Sequence, residues 1–105
     1  MEIIVLVTTK DQDEAKKVSR ALIEEKLAAC VNIVPAVQSV FWWDGKIEES
    51  AESLLVIKSV KRLLPEIVKA VKAVHSYDVP EVIAVSIADG NKDYLKWIND
   101  SVQKT

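Results

Sequence analysis

Glycine is nearly absent from this chain: of 105 residues only Gly45 and Gly90 are glycine, and they lie far apart. Phosphate cradles of the P-loop and dinucleotide-binding kinds need several glycines in one loop, so both are excluded. The single cysteine, Cys30, excludes a disulfide within the chain and any metal cluster built from several cysteines of one chain. With one histidine, His75, no nucleophile motif beside it and no cofactor fingerprint, the chain is expected not to be an enzyme and to need no organic cofactor. No apolar run approaches the ~18 residues that cross a bilayer. The start, Met1-Glu2-Ile3-Ile4, lacks the basic opening of a secretory leader. A soluble, cytoplasmic protein without membrane insertion is the expectation. Fourteen basic residues against sixteen acidic ones leave no positive excess to recruit nucleic acid or an anionic membrane.

Half the residues are hydrophobic, enough for one two-layer core, and the chain is too short for a second, so a single domain over residues 1–105 is predicted. Its organising stretch is Phe41-Trp42-Trp43-Asp44-Gly45-Lys46-Ile47-Glu48-Glu49, where two long apolar runs meet at an Asp-Gly pair. A two-residue type I′ loop needs positive φ at both central positions, which Gly adopts freely and Asp tolerates. With Asp44 and Gly45 as those positions, Trp43 faces Lys46 and Trp42 faces Ile47. The incoming run, residues 28–43, would reach about 50 Å at roughly 3.3 Å per residue. A small domain cannot cover that length, so the outer half of the hairpin is expected to project and to be buried by other copies of the chain.

The remaining elements follow from period and punctuation. Residues 3–8 are β-branched and continuously apolar, a covered strand. Asp11 with Glu14 three residues on has the form of a capping box, and Ala15, Val18 and Leu22 continue a helix to about Lys26. Pro35 removes a ladder donor from the second strand, tolerable only at an edge or a bulge. Residues 47–58 form the third strand, polar near the turn and apolar further on. Leu63, Leu64, Ile67, Val68, Val71 and Val74 make a second amphipathic helix, and Pro65 places its cap near Lys61. Residues 74–81 have no period and read as an ordered loop, and residues 82–87 are a fourth strand. Asn91 caps a last helix that is predicted to turn Tyr94, Leu95, Ile98, Val102 and Trp97 inward.

That order predicts an α+β fold: a ferredoxin-like βαββαβ sandwich with an extended β2–β3 hairpin and a C-terminal helix. The first, third and fourth strands carry few polar residues on either face, so the sheet face away from the helices also calls for a partner. Two other users of this topology are excluded. RNA-binding domains stack bases on central-strand aromatics, absent from residues 3–8 and 54–58. Small copper chaperones carry paired cysteines after the first strand, and residues 8–11 have none.

Four segments carry a family resemblance: Leu27-Ala28-Ala29-Cys30-Val31-Asn32, Trp43-Asp44-Gly45-Lys46-Ile47-Glu48-Glu49, His75-Ser76-Tyr77-Asp78-Val79-Pro80-Glu81 and Gly90-Asn91-Lys92-Asp93-Tyr94-Leu95-Lys96-Trp97. In order and spacing the chain resembles the CutA-type divalent-cation tolerance proteins over nearly its whole length. The resemblance implies a compact homotrimer with the sheets inside and the hairpins embracing neighbours. It also implies an association with copper or another divalent cation and an architecture like that of PII signalling trimers. Val7 and Val74 stand here where some members carry Cys and His.

Each candidate residue has two readings. His75 is either a metal ligand at a cleft between subunits, since neutral imidazole suits copper and zinc, or a cap on the negative end of the second helix. Cys30 is either a copper(I) ligand or a small buried hydrophobe. Phe41, Trp42, Trp43 and Ile47 are expected as anchors of an oligomer interface. Lys46, Glu48, Glu49, Tyr77, Asp78 and Glu81 are expected at an intersubunit cleft, where the carboxylates either share a hard cation or are simply solvated. Three functions compete: a trimeric metal-tolerance or metal-binding protein, a PII-like sensor of a small ligand, and a structural or anchoring trimer.

Overall fold

The computed structural model describes residues 1–104. Strand β1 (Glu2–Thr9) leads into helix α1 (Gln12–Glu24), then come the long strands β2 (Cys30–Trp43) and β3 (Lys46–Val60). A single 3-10 turn at Lys61–Leu63 opens helix α2 (Leu64–Val74), and β4 (Ile83–Ser86) and α3 (Lys92–Ser101) complete the chain. The strands pair in the order β2-β3-β1-β4, antiparallel throughout, which is the ferredoxin-like arrangement expected.

The hairpin turns where the Asp-Gly pair places it. Asp44 has φ 52° and Gly45 φ 74°, and Trp43 pairs with Lys46 and Trp42 with Ile47. Strand β2 is an edge strand, and its pairing with β3 is interrupted between Val34 and Val37, so Pro35 sits in a bulge where its missing N–H leaves no gap in the ladder. The Ser53 hydroxyl donates to the Pro35 carbonyl at 2.7 Å and fixes the bend. Beyond the bulge the hairpin runs past the end of β1, which accounts for a molecule 44 Å long and 26 by 22 Å across.

One face of the sheet is sealed by the helices. Val5, Val7, Leu55 and Ile57 of the central strands are fully buried there against Ala15, Val18 and Leu22 of α1, Ile67 and Val71 of α2, and Ile98 of α3. The side chains between them point the other way. Across the ladder Ile4 lies opposite Lys58 and Val85, Leu6 opposite Val56 and Ile83, and Thr8 opposite Leu54, and partners across an antiparallel ladder share a face. Apart from Lys58 and Thr8 this second face is apolar, and it is open: Ile83 is 53% and Val85 51% exposed.

Four local details differ from expectation. Glu14 does not close a capping box on Asp11; Asp11 caps the helix by accepting from the Glu14 amide at 2.9 Å, while the Glu14 carboxylate turns toward the α2–β4 loop. Tyr94 and Trp97 are each 44% exposed, because Leu95, Ile98 and Val102 fill the inward face of α3 and leave the two rings outside, tilted against each other at 5.4 Å between centroids. Val74, in the last turn of α2, is also exposed rather than inward. Strand β4 is shorter than residues 82–87, since it pairs only with Ile3–Leu6 of β1, and a further bond from Ile87 N–H to Glu2 O closes its end.

Candidate functional site

Where the hairpin leaves the end of β1, the loop joining α2 to β4 folds over it and encloses a cleft of about 880 Å³. Strand β3 contributes Glu48, Glu49 and Glu52 to its wall, and the loop contributes Asp78 and Glu81. The rings of Phe41, Trp43 and Tyr77 complete it, and no Lys, Arg or His lines it among the described residues. The structure therefore brings together most of the residues expected at a cleft, but within one chain, between its own hairpin and its own loop. Lys46 is not among them. It sits at the exposed hairpin tip opposite Trp43 and forms no ion pair among the described residues. Of the expected interface anchors, Phe41 and Trp43 line the cleft, whereas Trp42 and Ile47 stand outside it, both largely exposed.

The loop is held from behind by two groups whose roles could not be read from the sequence. The His75 side chain is 0% exposed. One ring nitrogen, Nε2, donates to the Thr8 carbonyl at 2.7 Å, and the other, Nδ1, accepts from the Tyr77 amide at 3.1 Å. A carbonyl can only accept and an amide N–H only donate, so both nitrogens are committed and neither lone pair is free for a metal. His75 does end α2, its own N–H reaching Val71 O, but its ring pins the loop to β1. Beside it, Glu14 accepts from the amides of Ser76 at 3.0 Å and Lys10 at 3.3 Å. Burial pushes the Glu14 carboxyl up, but hydrogen bonding from Ser76 and from the Lys10 amide outweighs this and holds it below its usual value.

Inside the cleft the electrostatics run the other way. Tyr77 donates its phenol proton to Glu52 Oε2 at 2.7 Å. Burial, then the hydrogen bond to Glu52 and its charge, push the phenol far above the usual tyrosine range. Burial, followed by the charge of Glu52, raises the carboxyl of Glu81. Tyr77 and Glu81 thus hold their protons more tightly than usual in a cleft whose lining carries five carboxylates.

The donors here are carboxylate oxygens and a phenol, which suit hard cations better than the soft thiolate that copper(I) prefers. Cys30 pairs with Lys58, level with Ile4 on β1, while His75 touches Thr8; four strand residues, roughly 13 Å, part the two levels. The chain thus does not assemble the Cys30 and His75 pair. No three His, Cys, Asp or Glu side chains converge as a preformed metal site among the described residues.

The family described as CutA1 divalent ion tolerance protein matches residues 3–101. The chain belongs to that family. Among CutA relatives, the divalent-cation tolerance protein of Thermus thermophilus is 44% identical over 101 residues, covering 96% of this chain and 98% of its own. Its solved structure superposes with a TM-score of 0.96 at 43% identity, covering 98% of this chain and all of that one. The chloroplastic CutA 1 of rice is 48% identical over 103 residues, and the chain spans 98% of itself but only 58% of that longer relative. The rice CutA1 crystal structure gives a TM-score of 0.95 at 48% identity, covering 99% of this chain and 95% of that one.

Glu14 and Glu52 are the functional side chains that sequence reasoning missed. Glu52 left a weak signal: it shares the even-numbered face of β3 with Leu54 and Val56 and is the charge next to that apolar pair on the hairpin side.

Proposed function

We propose that this chain is a non-enzymatic, homotrimeric divalent-cation tolerance protein of the cytoplasm that takes its cation into the acidic cleft. The observation that carries the reading is the set of five carboxylates on one cleft with no basic side chain among its described lining residues. Its size supports the PII-like reading too, since about 880 Å³ lies within the range that holds small organic ligands. The trimer draws its support from the open apolar sheet face and the projecting hairpin, which a single chain leaves wet. Copper(II), which accepts oxygen donors, belongs among the ions to be tested.

Calorimetric titration of the purified protein with manganese(II), zinc(II) and copper(II) tests this. Binding is expected at pH 7 and is expected to weaken as the pH falls toward 5, because Glu81, its carboxyl raised, must give up a proton to meet the cation. The heat should accordingly vary with the ionisation enthalpy of the buffer. No heat above dilution for any of the three ions would end the reading.

A further inference from the structure

Both edges of the sheet are bare. The order β2-β3-β1-β4 leaves one side of β2 and one side of β4 without a partner strand. Which backbone groups face those edges follows from two hydrogen bonds and the alternation of an antiparallel ladder. Lys61 N–H donates to Met1 O at 2.9 Å, and Ile87 N–H donates to Glu2 O at 3.1 Å. Odd-numbered residues of β3 therefore bond to β1 and even-numbered ones to β2, so Val31 and Ile33 turn their N–H and C=O groups outward. By the same count Ile83 and Val85 bond to β1, while Ala84 and Ser86 face out. Natural edges are guarded against further pairing by a lysine, a proline or a bulge. Neither Val31-Asn32-Ile33-Val34 nor Ile83-Ala84-Val85-Ser86 has such a guard, since Pro35 and its bulge begin only after Val34.

We propose that the β2 edge of each copy pairs antiparallel with the β4 edge of the next, so that three four-stranded sheets close into one ring. The inference rests on the assembly being a trimer and names the contact that holds it. In a sheet of four antiparallel strands the two edge strands run in opposite directions. Rotation about an axis along the strands therefore lays β4 of one copy antiparallel against β2 of another, a head-to-tail contact that closes when the rotation does.

Side-chain parity agrees. Val31 and Ile33 lie opposite Ile57 and Leu55, and Ala84 and Ser86 opposite Val5 and Ile3, all on the helix-covered face. Joining the edges through their free groups thus keeps the helices outside and turns the open apolar face inward. Length agrees as well. One register alone pairs the whole of β4 within Cys30–Val34 through those groups, with Ser86 opposite Val31 and Ala84 opposite Ile33. It sets Val85 against Asn32 and Ile83 against Val34. A two-fold pairing of β2 with β2, or of β4 with β4, would leave the other edge bare. The added strand also covers the groove of about 570 Å³ between α1 and β2, lined by Ile23, Val31 and Ile33. Ser19 lines it too, its hydroxyl buried without a hydrogen-bond partner among the described residues, and Ser86 brings a hydroxyl to that side.

The first measurement needs no variant: amide exchange of the assembled wild type at neutral pH. The outward amides of Val31, Ile33, Ala84 and Ser86 should exchange as slowly as those of Asn32 and Val34, which β3 holds. A trimeric mass with those four amides exchanging freely would overturn the edge pairing and leave the trimer standing; the mass of a single chain would remove both. The second is oxidative crosslinking of Asn32→Cys with Val85→Cys in a Cys30→Ala background. Directly opposed residues stand about 4.5–5.5 Å apart, within disulfide reach. Denaturing electrophoresis should show species of two and three linked chains for the double variant and none for either single one. Linked pairs from a single variant would overturn the head-to-tail contact in favour of like edges. A double variant that assembles as the wild type does without crosslinking would overturn the register, as would efficient crosslinking of Asn32→Cys with Ala84→Cys, which lies on the other face. If the double variant does not assemble, the exchange of the wild type decides.

Discussion

Replacing Ile83 with aspartate is expected to reduce the assembly to single chains. In one isolated chain Ile83 is more than half exposed at the edge of the sheet, and a charge at such a position changes stability by no more than about 0.5 kcal/mol. Sealed beneath a neighbouring subunit, the same carboxylate would be an unpaired buried charge and would cost several kcal/mol per copy. The contrast is large because Ile83 is not isolated: Leu6 and Val56 continue its row across the sheet, and Ile4 and Val85 form the next. Sedimentation of Ile83→Asp beside the wild type reads the difference directly. A variant that sediments and melts like the wild type would mean that this face is not buried.

Glu14→Ala is expected to lower stability by about 2–3 kcal/mol, the scale set by leaving buried partners unsatisfied. The carboxylate joins the start of α1 to the α2–β4 loop through the amides of Lys10 and Ser76 and lies 3.7 Å from His75 Nδ1. Its loss should free the loop that carries Tyr77, Asp78 and Glu81, so amide exchange at Ser76 and Tyr77 should quicken more than exchange in β1. The pH dependence has a definite sign. The folded carboxyl lies below its ordinary value of 4.5, so its contribution is complete above that pH and is lost as the pH falls through the lower folded value. The gap in urea midpoint between wild type and Glu14→Gln should therefore be wide at pH 7 and narrow below pH 4. A gap that widens in acid would contradict the assignment.

The elements set by local rules were legible in the sequence. Asp44-Gly45 gave away its turn because few residue pairs accept two positive φ values, and Pro35, lacking a donor, called for an edge or a bulge and has both. Asp11 and Asn91 cap the helices they precede by accepting amides within the next turn. The parts that were not legible depend on contacts between distant segments. Nothing local to His75 says that its ring turns back onto Thr8, 67 residues away, and so spends both nitrogens. Likewise, the place of Glu52 beside Leu54 and Val56 was a weak signal, but its partner Tyr77 lies 25 residues away and could not be read from it. Tyr94 and Trp97 were misplaced because helical spacing gives a stripe without saying how wide a stripe the sheet has room for. Glu48, Glu49, Tyr77, Asp78 and Glu81 line one cleft because the hairpin and the loop that carry them meet within the chain, while Lys46 lies outside it at the tip.

Assembly underlies the whole account, since the β2–β3 hairpin and the open sheet face are apolar surfaces that one chain cannot cover. The mass of the unmodified protein in solution at micromolar concentration, taken by sedimentation equilibrium, tests this most directly. Three times the mass of one chain is the predicted result. The mass of a single chain, with the indoles of Trp42 and Trp43 quenched freely by solvent-borne iodide, would contradict it.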